Sequence, residues 1–159
     1  MKSTNLNETK HEIIKLAENH IVPEYIKILC IDDNPNDPEL LLAVLSKSKK
    51  VHYKTETAST YNDGLTLITQ QKHDIYLIDI KLDGANDGLD LIEECIKKGI
   101  DGPFVIWSGY IDERVYQRNL TANLNFLSKN EQNIYILDNL IRYTIKNWKL
   151  SSKVREYFC

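Results

Sequence analysis

The chain has 159 residues, enough for one domain with a full core and too few for two comfortable ones. Its hydrophobic share of 42% and charged share of 27% are those of a globular protein. A net charge of -3 with a pI near 5.8 excludes a grip on nucleic acid or an anionic membrane through bulk charge.

The N-terminal stretch MKSTNLNETKHEII is polar and lacks the apolar region of a signal peptide, and no apolar run approaches a membrane span, so a cytoplasmic protein is expected. Cys30, Cys95 and Cys159 are odd in number and far apart, which predicts reduced thiols and no disulfide framework. TKHEIIKLAENHI offers a capping box from Thr9 to Glu12 and apolar residues at Ile13, Ala17 and Ile21, closed by Pro23. One extra helix is therefore expected in a leading segment of residues 1–25.

From Lys27 onward, short apolar runs alternate with helix-period segments. The strand KILCI leads to the helix DPELLLAVLSKS, with Asp37 read as its cap and Pro38 in the tolerant first turn. VHYKTETA alternates enough for a less buried strand, and YNDGLTLITQQ is a short helix weakened by Gly64. DIYLID is the most apolar strand, followed by the amphipathic helix GLDLIEECIKKG, which stops at Gly99. PFVIWS, the polar helix IDERVYQRNLTANL, the short strand NFLSK and the helix NIYILDNLIRYTIKNW complete the series. Five strands alternating with five helices predict an α/β domain over residues 26–148, its parallel sheet covered on both faces. Residues 149–159 are a tail or the start of a helical linker, with Ile145, Trp148, Val154 and Phe158 as a candidate stalk.

Ligand sites in such sheets lie beyond the carboxyl ends of the strands. The first strand ends at Asp32 and Asp33, the third at Asp79, the fourth at Ser108 and the fifth at Lys129. Any one of these alone is an ordinary loop or cap residue. Their joint placement is the signal. With the first strand beside the third, three carboxylates converge, and a hard dication such as Mg²⁺ or Mn²⁺ relieves their repulsion. A hydroxyl and an ammonium beside them suit a phosphoryl group.

The motifs ILCIDDNPND, YLIDIKLDGANDGLDL, VIWSG and NFLSK resemble those of response-regulator receiver domains of two-component signalling. The intervals are 46 residues from Asp33 to Asp79, 29 to Ser108 and 21 more to Lys129, and the likeness spans about Lys27 to Trp148. It implies a flavodoxin-like, doubly wound (βα)5 fold. Asp79 would accept a phosphoryl group from a histidine kinase or phosphotransfer protein. Asp33 and Asp79 would hold the metal with the Lys81 backbone carbonyl, and Asp32 would act through water. Lys129 would pair with the acceptor and then the phosphoryl oxygens, Ser108 would move towards the phosphoryl group, and Phe126 would be the switch aromatic. Lys81 and Tyr110 would flank the path of water and slow loss of the group.

Departures from the family pattern are a loop after Asp79 one residue longer, Asp83 where proline is common, and Asn130 after Lys129 instead of proline. About eleven residues follow the domain, too few for an effector, so a signal would pass through the domain's own surface or a longer protein. Tyr110, Val115, Tyr116, Tyr135 and Tyr143 are candidates for a downstream protein or a homodimer contact, and Lys146, Lys149, Lys153 and Arg155 read as a solvated face. An aspartate-nucleophile phosphatase would want an acid two residues after the nucleophile, where Lys81 stands. A pseudo-receiver would lack charged pocket groups, yet all are present. No G-x-G-x-x-G or P-loop follows the first strand.

Overall fold

The computed structural model describes residues 7–11, 24–109, 113, 117 and 124–158. Five parallel strands form one sheet in the order β2-β1-β3-β4-β5: β1 (Glu24–Ile31), β2 (Val51–Ala58), β3 (Ile75–Ile78), β4 (Phe104–Ser108) and β5 (Asn125–Ser128). Helices α1 (Asn36–Leu45), α2 (Tyr61–Thr69), α3 (Gly88–Lys97) and α4 (Ile134–Phe158) connect and cover them. The doubly wound α/β arrangement is the expected one, with its crossover at β1.

Strand alternation divides the apolar residues between two cores. Ile28, Cys30, Leu77 and Trp107 pack on Leu41 and Leu45 of α1 and on Leu137 and Ile141 of α4. Leu29, Ile31, Ile78 and Ile106 pack on the other face against Ile68 of α2 and Leu89 and Ile92 of α3. Because both faces are covered, β3 and β4 are buried at every residue, which is why they read as unbroken apolar runs.

Three local readings need correction. Residues 7–11 are already helical, so Thr9 lies within that helix and is not its cap. Pro35, not Asp37, occupies the N-cap of α1, and Asp37 sits in the first turn. The last helix runs without a break through Phe158, so residues 149–158 continue it. Ile145 is buried in the core whereas Val154 is 56% exposed, so the proposed stalk residues do not share one face. Tyr135 and Tyr143 on α4 are exposed, as a contact surface requires. Tyr110, Val115, Tyr116, Ile13, Ala17 and Ile21 lie outside the described residues.

Candidate functional site

The ladder continues past the ends of the strands and fixes the acids. The Asp79 N–H donates to the Ile31 carbonyl at 2.9 Å, and the Asp32 N–H donates to the Ala58 carbonyl at 2.9 Å. With Ile31 opposite Ile78 in register, Asp32 and Asp79 stand side by side. Asp33 follows in the turn, and Asn34 closes it by donating its N–H to Asp32 Oδ1 at 2.9 Å. Beyond Asp79 the chain turns through Gly84, whose φ of +114° lies in the region that favours glycine. It then enters α3 at Gly88. A Cβ at Gly88 would stand 1.9 Å from the Asp79 carbonyl oxygen, so only glycine lets the helix start against the acid's own backbone. Asp87 and Asp90 cap that helix reciprocally, a box the sequence hides because its acid at the third position is Asp where Glu is usual.

One carboxylate oxygen from each of Asp32, Asp33 and Asp79 lies within 4.8 Å of the others. Asp32 and Asp79 are 3% and 7% exposed. Lys129, one residue past β5, brings its ammonium 2.6 Å from Asp32 Oδ2 and 3.1 Å from Asp79 Oδ2. Although so close to the ammonium, the buried Asp32 Oδ2 receives no well-directed hydrogen bond. An all-oxygen donor set with such an atom in it fits a hard divalent cation. Ser108 is buried at the end of β4, two residues past the partner of Ile78. The Lys129 N–H donates to the Ser108 carbonyl at 2.9 Å, tying the two strand ends together. Lys81 contributes its backbone N–H to the Asp79 carboxylate. Phe126 is half-buried and packs on the α2–α3 side of the sheet.

Burial dominates the electrostatics. It pushes the Asp32 carboxyl up to about 6, against the pull of Lys129 and the Asn34 N–H, and Asp79 adds to the rise. Burial raises the Asp79 carboxyl too, opposed by Lys129 and the Lys81 N–H and assisted by Asp33. For Lys129 burial disfavours the charge, but the close carboxylates of Asp32, Asp37 and Asp79 outweigh it and hold the ammonium on.

Asp37 is the group that sequence reasoning missed. From the first turn of α1 its Oδ2 accepts a hydrogen bond from Lys129 Nζ at 2.8 Å. The ammonium also lies 5.1 Å from the centre of the Trp107 ring. Beside them, a groove of about 220 Å³ opens between α1 and the residues after β5, lined by Leu40, Val44, Trp107 and Gln132 among others. The signal for Asp37 was faint. Acids in a first helical turn are favoured by the helix dipole whether or not they have a partner.

Comparison with known proteins agrees with this architecture. None of the curated proteins matches the chain. A solved response regulator receiver domain protein (CheY-like) from Methanospirillum hungatei is 22% identical, with a TM-score of 0.66 over 82% of this chain and 99% of that one. The signal receiver domain of an HD domain-containing protein from Pseudomonas fluorescens is 17% identical, with a TM-score of 0.68 over 83% of this chain and 95% of that one. NtrX from Brucella abortus is 24% identical, with a TM-score of 0.68; the alignment covers 84% of this chain but 29% of that larger one. Among the described residues no helix is long and apolar enough to cross a membrane. The profile of the response regulator receiver domain matches residues 28–140, and the chain belongs to that family.

Proposed function

We propose that this domain is a phosphoacceptor module of a two-component or phosphorelay system, in the cytoplasm, with Asp79 as the residue that takes the phosphoryl group. The observation that carries the reading is the convergence of Asp32, Asp33 and Asp79 within 4.8 Å, with Lys129 reaching Asp79 at 3.1 Å.

A carboxylate oxygen of Asp79 attacks phosphorus in line, the bond from phosphorus to the donor's imidazole nitrogen breaks, and the electron pair leaves with the imidazole, which takes up a proton. The product is an acyl phosphate on Asp79. Asp33 and Asp79, the Lys81 carbonyl, and Asp32 through water would hold Mg²⁺ or Mn²⁺, which supplies charge neutralisation for the transferring oxygens. Lys129 neutralises one of those oxygens, and Ser108 at the end of β4 donates to another. The Ser108 movement then draws Phe126 inwards and changes the exposed surface near Tyr135 and Tyr143, where a downstream protein or a second copy would read it. The domain turns over no separate substrate: phosphorylation and loss of the phosphoryl group are both its own reactions.

Incubation with Mg²⁺ and a small acyl-phosphate donor, read by intact mass, is expected to add one phosphoryl group to the wild type and none to Asp79→Asn. An increment that survives the substitution moves the acceptor elsewhere. None in the wild type favours a domain that keeps the fold and binds partners without phosphorylation.

A further inference from the structure

Lys129 is the cation shared by three carboxylates, and the sharing is uneven. Its ammonium has three N–H donors. Asp32 Oδ2 at 2.6 Å and Asp79 Oδ2 at 3.1 Å belong to the cluster that suits a metal, and Asp37 Oδ2 at 2.8 Å does not. An ammonium and a dication compete for the oxygens of Asp32 and Asp79. Asp37, anchored on α1 and a quarter exposed, pulls the ammonium outwards, and the Trp107 ring favours a cation at the same spot. The directed hydrogen bond to Asp37 contrasts with the undirected contact at Asp32.

We propose that Asp37 is a positioning residue that holds Lys129 towards α1 and so keeps the Asp32–Asp33–Asp79 oxygens available to the metal. Asp37 needs no contact with metal or phosphoryl group. It acts through Lys129, and the inference rests on the reading of the pocket as a metal-dependent acceptor.

The test is Mg²⁺ binding by titration calorimetry on the full chain, without any donor. In Asp37→Asn the ammonium settles onto Asp32 and Asp79, and the Kd for Mg²⁺ is expected to rise about three- to tenfold. Glu39→Gln removes a charge from the same helical turn and should shift the Kd by less than about twofold. In a Lys129→Met background, Asp37→Asn should do no more than Glu39→Gln does. A second reading is Trp107 emission in a Trp148→Phe background, which should differ between the metal-free parent and Asp37→Asn. An unchanged Kd in Asp37→Asn, an equal rise in Glu39→Gln, or a full rise without Lys129 overturns the proposal. A wild type that binds Mg²⁺ but takes no phosphoryl group overturns the acceptor reading alone. One that binds no Mg²⁺ overturns both.

Discussion

Among the described residues two places bury acid, and they treat it differently. Asp138 on α4 is 6% exposed, and its two oxygens accept from Tyr53 OH at 2.6 Å and from Ser48 Oγ at 2.8 Å. Ser48 Oγ in turn accepts from the N–H groups of Lys50 and Val51. Each carboxylate oxygen has its own hydroxyl donor, and the network ties α4 to β2. At the strand ends, Asp32, Asp33, Asp37 and Asp79 face one ammonium, four negative charges against one positive. A buried acid whose donors match it holds a fold together, and one with charge to spare invites a cation.

Breaking the matched site should cost most. Asp138→Ala leaves two half-buried hydroxyls without their acceptor and is expected to lose about 3 kcal/mol in urea unfolding, with the Kd for Mg²⁺ unchanged. A loss below about 1 kcal/mol, or a shifted Mg²⁺ affinity, would erase the distinction between the two sites.

The unmatched site should instead be stabilised by what it lacks. Mg²⁺ at roughly a hundred times its Kd should add about 2.7 kcal/mol, a rise in Tm of about 5–10 °C for a chain of this size. Asp33→Asn with Asp79→Asn should remove the shift. Calorimetric scans with and without Mg²⁺ check it.

Acid gives the smallest and sharpest comparison. In the folded, metal-free protein the Asp32 carboxyl is raised from 3.8 to about 6, so between those values the folded state binds more protons than the unfolded one. Its contribution to stability is therefore present below the unfolded value and is lost as pH rises through about 6. Lowering the pH from 7.5 to 5 should relieve on the order of 1–2 kcal/mol in the wild type relative to Asp32→Asn. Equal pH dependence in the two proteins would mean that burial of Asp32 carries no such cost.

Much of this was legible in the residues. VHYKTETA is β2 from its first residue to its last, because alternation over eight residues has no helical counterpart. Asp32, Asp33, Asp79, Ser108 and Lys129 follow apolar runs that end where the sheet ends, so their common rim could be read from order alone. The roles of Asp37 and Asp138 could not. Asp37 meets Lys129 from 92 residues away, and Asp138 meets Tyr53 and Ser48 from 85 and 90 residues away. Within their own helices both look like ordinary polar positions.

Periodicity and punctuation are local properties, and the amino-acid order by itself determined the alternation of strands and helices and which charged groups stand at the strand ends. Which partner each charge takes was decided only when the chain closed. Coulomb attraction and hydrogen bonding act over a few ångströms, and the helix that carries Asp37 must pack on the sheet before its carboxylate can reach Lys129.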